Sequence, residues 1–237
     1  LIPNAQGYKL KSVISGHGHE GPKNCCEWDS KTHTWYMNGW EVFRWNVWKD
    51  CGNNPIYPQG GTWPFDRAGW CPGTKVDEHD FELTPFVNPM DTINLNYSVQ
   101  KYFDNGEKNG TLRMSHQLIS YGKLNFKNDV ELEEIITPSG HKKHSRFNPT
   151  LSNPRILIKN SGEHNLKHLE IQYGLKNRRR SVYKWSGNMK FLEQKEIYLP
   201  IPSWRGLRKN QIFEVKLVNP NMRKDENPQN NILTSIV

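Results

Sequence analysis

An all-β fold is expected from three features of this sequence. No stretch keeps the 3.6-residue apolar spacing of a packed helix. Short runs rich in β-branched and aromatic residues recur instead, and clusters of Gly, Pro, Asn and Asp separate those runs. In the first part of the chain the strand candidates are "YKLKSVIS", "HTWYMN", "EVFRWNVW", "FELTPFV", "TINLNYSVQKY" and "MSHQLISYGKL", with the turn signal "DNGEKNG" at 104–110 between the last two. One segment reads as a short helix: "NDVELEEII" at 128–136, with Asn128 or Asp129 available as its N-cap.

A polar stretch, "TPSGHKKHSRFNPTLSNP" at 137–154, carries three prolines and no apolar periodicity. The domain boundary is placed there, giving a first domain over 1–140, a linker over 141–153 and a second domain over 154–237. Beyond it, "RILIKNSG", "LKHLEIQYGL", "SVYKWSG", "KEIYLPI", "IFEVKLVNPN" and "NNILTSIV" supply six or seven strands. That spacing suits a smaller immunoglobulin-like β-sandwich.

The net charge of +8 suggests a polyanionic partner until it is divided by position. Residues 1–150 hold 16 Lys or Arg against 17 Asp or Glu, and residues 151–237 hold 16 against 7. All the basicity therefore lies in the last third. Its densest run, "KNRRRS" at 176–181, falls between two strand candidates and reads as a solvated hairpin tip. With no helix or aromatic platform beside it, nucleic acid is not an expected partner. No run approaches the roughly 20 apolar residues that span a bilayer, so no transmembrane segment is expected. The opening residues lack the pattern of a signal peptide and read as the start of a strand, which points to a chain that begins inside a longer precursor.

One part of the chain is chemically distinct: all four cysteines fall between Cys25 and Cys71, and seven of the nine tryptophans between Trp28 and Trp70. Zinc-knuckle spacing is absent. A disulfide between Cys51 and Cys71 is the better reading, because it closes a loop rich in Gly, Pro and Asn; a loop of about 20 residues contributes about 3 kcal/mol in the chain-entropy model. Such a bond implies an oxidising compartment, so the protein is expected to be extracytoplasmic: secreted, periplasmic or on the cell surface.

Three clusters in this region could carry chemistry. In "SGHGHEG" at 15–21, glycines alternate with His17 and His19, a spacing that can chelate copper or zinc; His33, Glu20 and Cys25 are the candidates to complete such a site, and hydrogen-bonded loop histidines are the plainer reading. In "TWPFDRAGWCPG" at 62–73, either Asp66 holds the Arg67 guanidinium or Arg67 is left to fork onto a ligand carbonyl or carboxylate, and the tryptophans nearby offer flat faces that suit a sugar ring. In "NCCEWDSKTH" at 24–33, Glu27 stands between cysteines and Trp28, where it can serve as a proton donor, as a hydrogen-bonding partner or simply as a solvated carboxylate.

Taken together these clusters resemble the second domain of the bacterial peptide:N-glycosidase F family. The resemblance rests on "ISG.GH" (14–17 followed by His19), "C.EW" (Cys25, Glu27, Trp28), "THT" (32–34), "NPI" (54–56) and above all "DRAGWCPG" (66–73), and it covers about residues 8–136. It implies an eight-stranded antiparallel jelly-roll β-sandwich, the second of a pair. It also implies amidase chemistry on the bond between asparagine and N-acetylglucosamine of N-glycoproteins or N-glycopeptides. Carried over by position, Glu27 and Arg67 become the catalytic pair, Trp28, Trp70, Asp66 and His17 become substrate-binding residues, and Cys51 pairs with Cys71. An activated water and a stabilised oxyanion are what amide hydrolysis needs, and a carboxylate and an arginine can share that work with no metal or cofactor.

Two departures from the family pattern carry consequences. The family's principal catalytic aspartate lies on a first jelly roll that does not precede Leu1, so the resemblance implies a partner domain outside this chain. Failing that, the chain is a non-catalytic secreted module that binds glycans or proteins. Asp29 stands where the family places the cysteine that pairs with the position of Cys25, which leaves free thiols, a bond to a missing segment or a vicinal bridge to Cys26 for Cys25. The last segment, with "NPN" followed by "DENPQNN" (225–231), resembles the CARDB-like adhesion modules of bacterial secreted proteins. A third reading, copper-dependent oxidation through His17, His19 and Met37, rests on a fold-level likeness to peptidylglycine monooxygenases alone.

Overall fold

The computed structural model describes residues 1–18, 25–102, 110–147, 153–204 and 210–237. All its regular structure is β apart from four short 3-10 turns, and every strand pairing is antiparallel. The chain divides into two compact units, Leu1–Lys123 and Leu124–Val237.

The first unit contains β1 (Gly7–His17), β2 (Lys31–Met37), β3 (Trp40–Val47), β4 (Glu78–Glu82), β5 (Leu95–Val99) and β6 (Thr111–Tyr121). Five of the six fall on strand candidates read from the sequence; the candidate at 81–87 meets β4 only at Phe81 and Glu82, and its Thr84–Phe86 forms a 3-10 turn instead. Among the described residues there are six strands where the family resemblance led to an expectation of eight. They form two three-stranded sheets, ordered β4-β1-β6 and β3-β2-β5. β2 and β3 are joined through Asn38 and Gly39, both at positive φ, so that Met37 pairs directly with Trp40.

The sheets face one another because each strand alternates. On β1, Tyr8, Leu10, Ser12 and Ile14 point inward, and Tyr8 and Leu10 pack in one cluster with Trp35 and Met37 of β2 and with Leu83. Ring contacts fix the layering. Trp45 of β3 lies 4.5 Å from Phe81 of β4, and Tyr97 of β5 lies 4.5 Å from His116 of β6.

The middle of this sandwich is polar. Ser12 accepts a hydrogen bond from Trp35 Nε1 at 3.2 Å and lies 3.0 Å from His116 Nδ1, while His33 Nδ1 is hydrogen-bonded to the Tyr97 hydroxyl. His33, His79 and His116 each keep a buried Nε2 with no hydrogen-bond partner among the described residues.

The second unit contains β7 (Val130–Thr137), β8 (Arg155–Asn160), β9 (Leu166–Leu175), β10 (Ser181–Met189), β11 (Gln194–Tyr198), β12 (Ile212–Val218) and β13 (Ile232–Ile236). Its sheets are ordered β11-β8-β7 and β10-β9-β12-β13, and they enclose one core that includes Ile156, Ile158, Ile171, Tyr173, Trp185, Phe213 and Val215. Seven strands in two antiparallel layers form an immunoglobulin-like sandwich, with the fourth strand added to the sheet of the third, sixth and seventh.

Two expectations are corrected here. Residues 128–136 do not form a helix; they supply β7, which pairs with β8. The alternation that marks a strand is broken by register shifts between Leu132 and Glu134 and between Ile135 and Thr137, so Leu132, Ile135 and Ile136 are buried at the i, i+3, i+4 spacing of a helical face. Three glutamates of good helix propensity strengthened the imitation, and tertiary pairing overrode them. Because β7 belongs to the second sandwich, the break between units falls at 123/124 instead of at 141–153, where Lys142–Phe147 forms a 3-10 turn. The charge contrast survives the shift: 12 Lys or Arg against 13 Asp or Glu in the first unit, and 20 against 11 in the second.

Candidate functional site

The segment "DRAGW" runs between the end of β1, the end of β3 and the loop that follows Cys25, and each of its residues is tied down differently. Asp66 Oδ1 accepts the Cys51 N–H at 3.0 Å. Arg67 forms a two-bond bridge with Lys49, N–H to carbonyl in both directions, at 2.8 and 3.1 Å. Ala68 is buried with Ile14 and Val47, donates its N–H to the Glu27 carbonyl and accepts the Gly16 N–H, both at 3.0 Å. Gly69 sits at φ +77° against the backbone of Ile14, where a Cβ would lie 2.2 Å from the carbonyl oxygen. Trp70 donates its indole N–H to the Gly16 carbonyl at 2.7 Å.

This framework buries the Arg67 guanidinium and brings Glu27 to it. Arg67 Nε donates to Glu27 Oε1 at 3.1 Å; Nη1 donates to the Trp63 and Phe65 carbonyls at 3.3 and 2.9 Å; Nη2 donates to the Thr62 carbonyl and hydroxyl at 2.7 and 3.1 Å. All five N–H donors of the side chain are thus used within the fold. The cation also lies over two rings, 4.4 Å from the Trp28 centroid and 5.1 Å from that of Trp70. Glu27 Oε2 accepts the Gly18 N–H at 3.1 Å. Of the two arrangements open to Arg67 in the sequence, held by Asp66 or free to fork onto a ligand, the structure has neither. Glu27 is the carboxylate that holds it, and the Thr62, Trp63 and Phe65 carbonyls with the Thr62 hydroxyl take the rest.

His17 closes the other side of Trp70, with ring centroids 5.0 Å apart, and its Nε2 lies 2.9 Å from Ser15 Oγ. Burial holds its pKa below the ordinary imidazole value, helped by the Arg113 charge and opposed by Glu27. Glu27, Arg67, Trp28, Trp70 and His17 therefore form one continuous group, and Asp66 flanks it.

A cavity of about 680 Å³ opens beside this group, lined by Trp28, Trp48, Thr62, Pro64, Phe65 and Asp66. Trp48 and Phe65 were not singled out by the sequence reading. The signal for Trp48 was present, since it directly follows the inward-facing Val47 and must point the other way. No side-chain signal marks the carbonyls of 62–65 that hold Arg67.

The disulfide between Cys51 and Cys71 is formed, with Cα atoms 5.5 Å apart, and it closes the loop that carries Thr62 to Trp70. Cys25 and Cys26 are joined to each other, the vicinal pairing that the sequence left open beside free thiols. Of the residues weighed for copper or zinc, His19 and Glu20 lie outside the described residues. Met37 is packed in the core with Tyr8 and Leu83, His33 is inside the sandwich, and His17 faces Trp70. Among the described residues no group of three or more His, Cys, Asp or Glu side chains could hold a metal ion.

A family model described as Peptide-N-glycosidase F, C terminal, matches residues 1–119, half of the chain. The chain belongs to this family. A curated relative, the peptide-N(4)-(N-acetyl-beta-D-glucosaminyl)asparagine amidase F of Elizabethkingia miricola, is 35% identical over 117 residues, which are 45% of this chain and 32% of the relative. The solved structure of PNGase F, a glycosylasparaginase from Flavobacterium meningosepticum, aligns with 32% identity and a TM-score of 0.48, covering 52% of this chain and 42% of that one. PNGF-II aligns with 19% identity and a TM-score of 0.42, covering 52% and 24%. The match to the curated relative thus spans about a third of its length. The family match accounts for the first unit, and within it the "DRAGW" and "C.EW" elements are the two that meet at the Glu27–Arg67 pair. No helix is long and apolar enough to cross a membrane among the described residues.

Proposed function

We propose that the first unit is the glycan-facing part of an amidase of the peptide:N-glycosidase F type, which hydrolyses the bond between asparagine and N-acetylglucosamine in N-glycoproteins or N-glycopeptides. A further jelly-roll domain outside this chain completes the reaction, and the protein works outside the cytoplasm. The observation that carries this reading is the Glu27–Arg67 pair, assembled by the two family motifs beside an aromatic cavity whose lining includes their neighbours Trp28 and Asp66.

The pair divides its labour. The Glu27 side chain is 18% exposed and can be reached by a water or a substrate N–H, whereas that of Arg67 is 3% exposed. Glu27 is the group placed to touch the reacting amide or its attacking water, and Arg67 acts through it as a positioning residue. With both carboxylate oxygens directed by fixed donors, little reorganisation is needed when charge develops nearby. The groups on this chain bind and orient, and the principal base comes from the family's first jelly-roll domain. An N-glycan substrate and an oxidising compartment agree with the aromatic cavity and the Cys51–Cys71 bond.

The test is to incubate the chain, alone and combined with the family's first domain, with a denatured N-glycoprotein and to look for the mass change of asparagine to aspartate. Conversion by the combined protein that falls at least tenfold in Glu27→Gln supports the proposal. Full activity in that variant sinks the assignment of Glu27.

A second reading, a secreted glycan- or protein-binding module without catalysis, is favoured by one observation: both oxygens of Glu27 and all five N–H groups of Arg67 already have partners in the fold. It predicts glycopeptide binding with no mass change under any combination.

A further inference from the structure

The cavity beside the Glu27–Arg67 pair has a chemistry of its own, and we propose that it is a subsite for an uncharged pyranose ring, with Trp48 as stacking platform and Asp66 as hydrogen-bond acceptor. The proposal rests on the glycan reading above and adds to it which sugar chemistry is accepted and by which residues.

The aromatic lining is unequal. One face of Trp28 is occupied by the Arg67 cation, and Phe65 meets its edge at 6.0 Å in a T-shaped contact. Trp48, 37% exposed, has no ring or hydrogen-bond partner among the described residues, and Phe65 is 57% exposed. Two large exposed rings on the lining of one cavity are more than a packed core requires, and their flat faces match the C–H face of a pyranose. The volume, about 680 Å³, is that of a small-molecule site.

The polar lining decides which sugar fits. Asp66 Oδ1 is taken by the Cys51 N–H, and Oδ2 accepts no hydrogen bond among the described residues. A carboxylate oxygen only accepts, so its natural partners are sugar hydroxyls or an acetamido N–H. Thr62 Oγ1 already accepts from Arg67 Nη2, which leaves its own O–H to donate to a ring or hydroxyl oxygen. Among the described residues no Lys or Arg lines the cavity, and Arg67, behind it, has spent every N–H. A carboxylated sugar would therefore bring its charge up to Asp66 with no cation among the described lining residues to meet it. Neutral hexoses and N-acetylhexosamines fit, and uronic or sialic acids do not.

The walls are held in place before any ligand arrives. Pro64 fixes its own φ, Asp66 is tied to Cys51, and Cys51 is tied to Cys71, so the ordering cost of binding is small.

The whole chain is titrated with a neutral N-acetylglucosamine disaccharide and, separately, with methyl glucuronide, following tryptophan fluorescence and saturation-transfer NMR. The expected result is binding of the disaccharide, at least tenfold weaker binding of the glucuronide, and a loss of about tenfold in Trp48→Ala, whose exposed position leaves folding intact. Phe65→Ala serves as the second variant and is expected to weaken binding in the same direction. Equal affinity for the glucuronide, no binding of the disaccharide, or unchanged binding in both variants overturns the subsite. The two proposals fail separately. Sugar binding that depends on Trp48 without any asparagine-to-aspartate conversion sinks only the amidase reading. Conversion that is indifferent to Trp48 and Phe65 sinks only the subsite.

Discussion

Arg67 Nε donates to Glu27 Oε1 at 3.1 Å across 40 positions of sequence, and with the side chain of Arg67 3% exposed this ion pair is part of the interior. Removing the cation takes the Arg67 donor from Glu27 Oε1 and from the carbonyls of Thr62, Trp63 and Phe65. Arg67→Ala is expected to cost about 3–5 kcal/mol of unfolding free energy, the range for breaking a buried pair by taking one partner. Arg67→Lys is expected to recover only part of that, because a single ammonium cannot reproduce a planar fork with five donors. Urea denaturation followed by tryptophan fluorescence measures both. A loss below about 1 kcal/mol in Arg67→Ala would show that the guanidinium does not hold the site together.

Gly69 makes the same point from the backbone. At φ +77°, with a Cβ position 2.2 Å from the Ile14 carbonyl and 2.9 Å from Val47 Cγ1, it cannot carry a side chain unless β1 and β3 move apart. Gly69→Ala is expected to destabilise by about 2–5 kcal/mol, combining left-handed backbone strain with overpacking. Gly60, at φ +80° with nothing within 4 Å of a Cβ, isolates the first of those contributions. Gly60→Ala is expected to cost about 1–2 kcal/mol. Thermal unfolding of the two variants side by side tests the difference, and equal losses would mean that the close approach to Ile14 contributes nothing.

These contacts show what the sequence could and could not reveal. Strands were legible where alternation was unbroken, as in Tyr8, Leu10, Ser12 and Ile14 on β1. They were misread where a bulge shifted the phase, as between Leu132 and Glu134 on β7. Glu27 and Arg67 were legible as members of motifs. Their pairing was not, because the partners of Arg67 are one distant carboxylate, three backbone carbonyls and the Thr62 hydroxyl, none of which follows from residue type. Asp66, adjacent to Arg67 and opposite in charge, was the natural guess, and it is turned instead toward the Cys51 N–H. The polar interior of the first sandwich escaped for a related reason: Ser12, His33, His79 and His116 alternate correctly with their neighbours, but nothing in the alternation says that their inward positions coincide.

The Cys51–Cys71 bond closes the loop on which Thr62 to Trp70 are mounted, and both sulfurs are buried. Replacing the two cysteines by alanine is expected to lower stability by about 3 kcal/mol, chiefly by freeing a loop of about 20 residues in the unfolded chain. Because the Lys49–Arg67 bridge and the Asp66 bond to the Cys51 N–H remain, the folded variant is expected to keep the geometry of the cavity. Denaturation should therefore shift to lower urea while saccharide affinity measured well below the midpoint stays within about threefold, a change of about 0.7 kcal/mol. An affinity that collapses in step with stability would show that the bond shapes the folded site and does more than restrain the unfolded chain.

Acid should loosen the first unit through its interior histidines. Burial lowers the pKa of His33 to about 4, with His79 and His116 adding like-charge opposition, and burial likewise lowers His79 and His116. The charged groups facing the cluster are few: Asp77 and Asp80 raise His79 and Lys49 lowers it, while Tyr97, which hydrogen-bonds His33, is itself pushed upward by burial. A depressed folded-state value means that the unfolded chain takes up protons first. The stability that these rings contribute is complete above about pH 6.5, declines as the pH falls below it, and is lost for His33 by about pH 4. Over that window His33 alone accounts for on the order of 3 kcal/mol. Urea midpoints measured from about pH 7 to pH 4 should fall steadily, and His33→Gln, while less stable at neutral pH, should show a slope shallower by about one proton. Identical slopes in parent and variant would remove His33 from the titration and leave the acid response to the carboxylates.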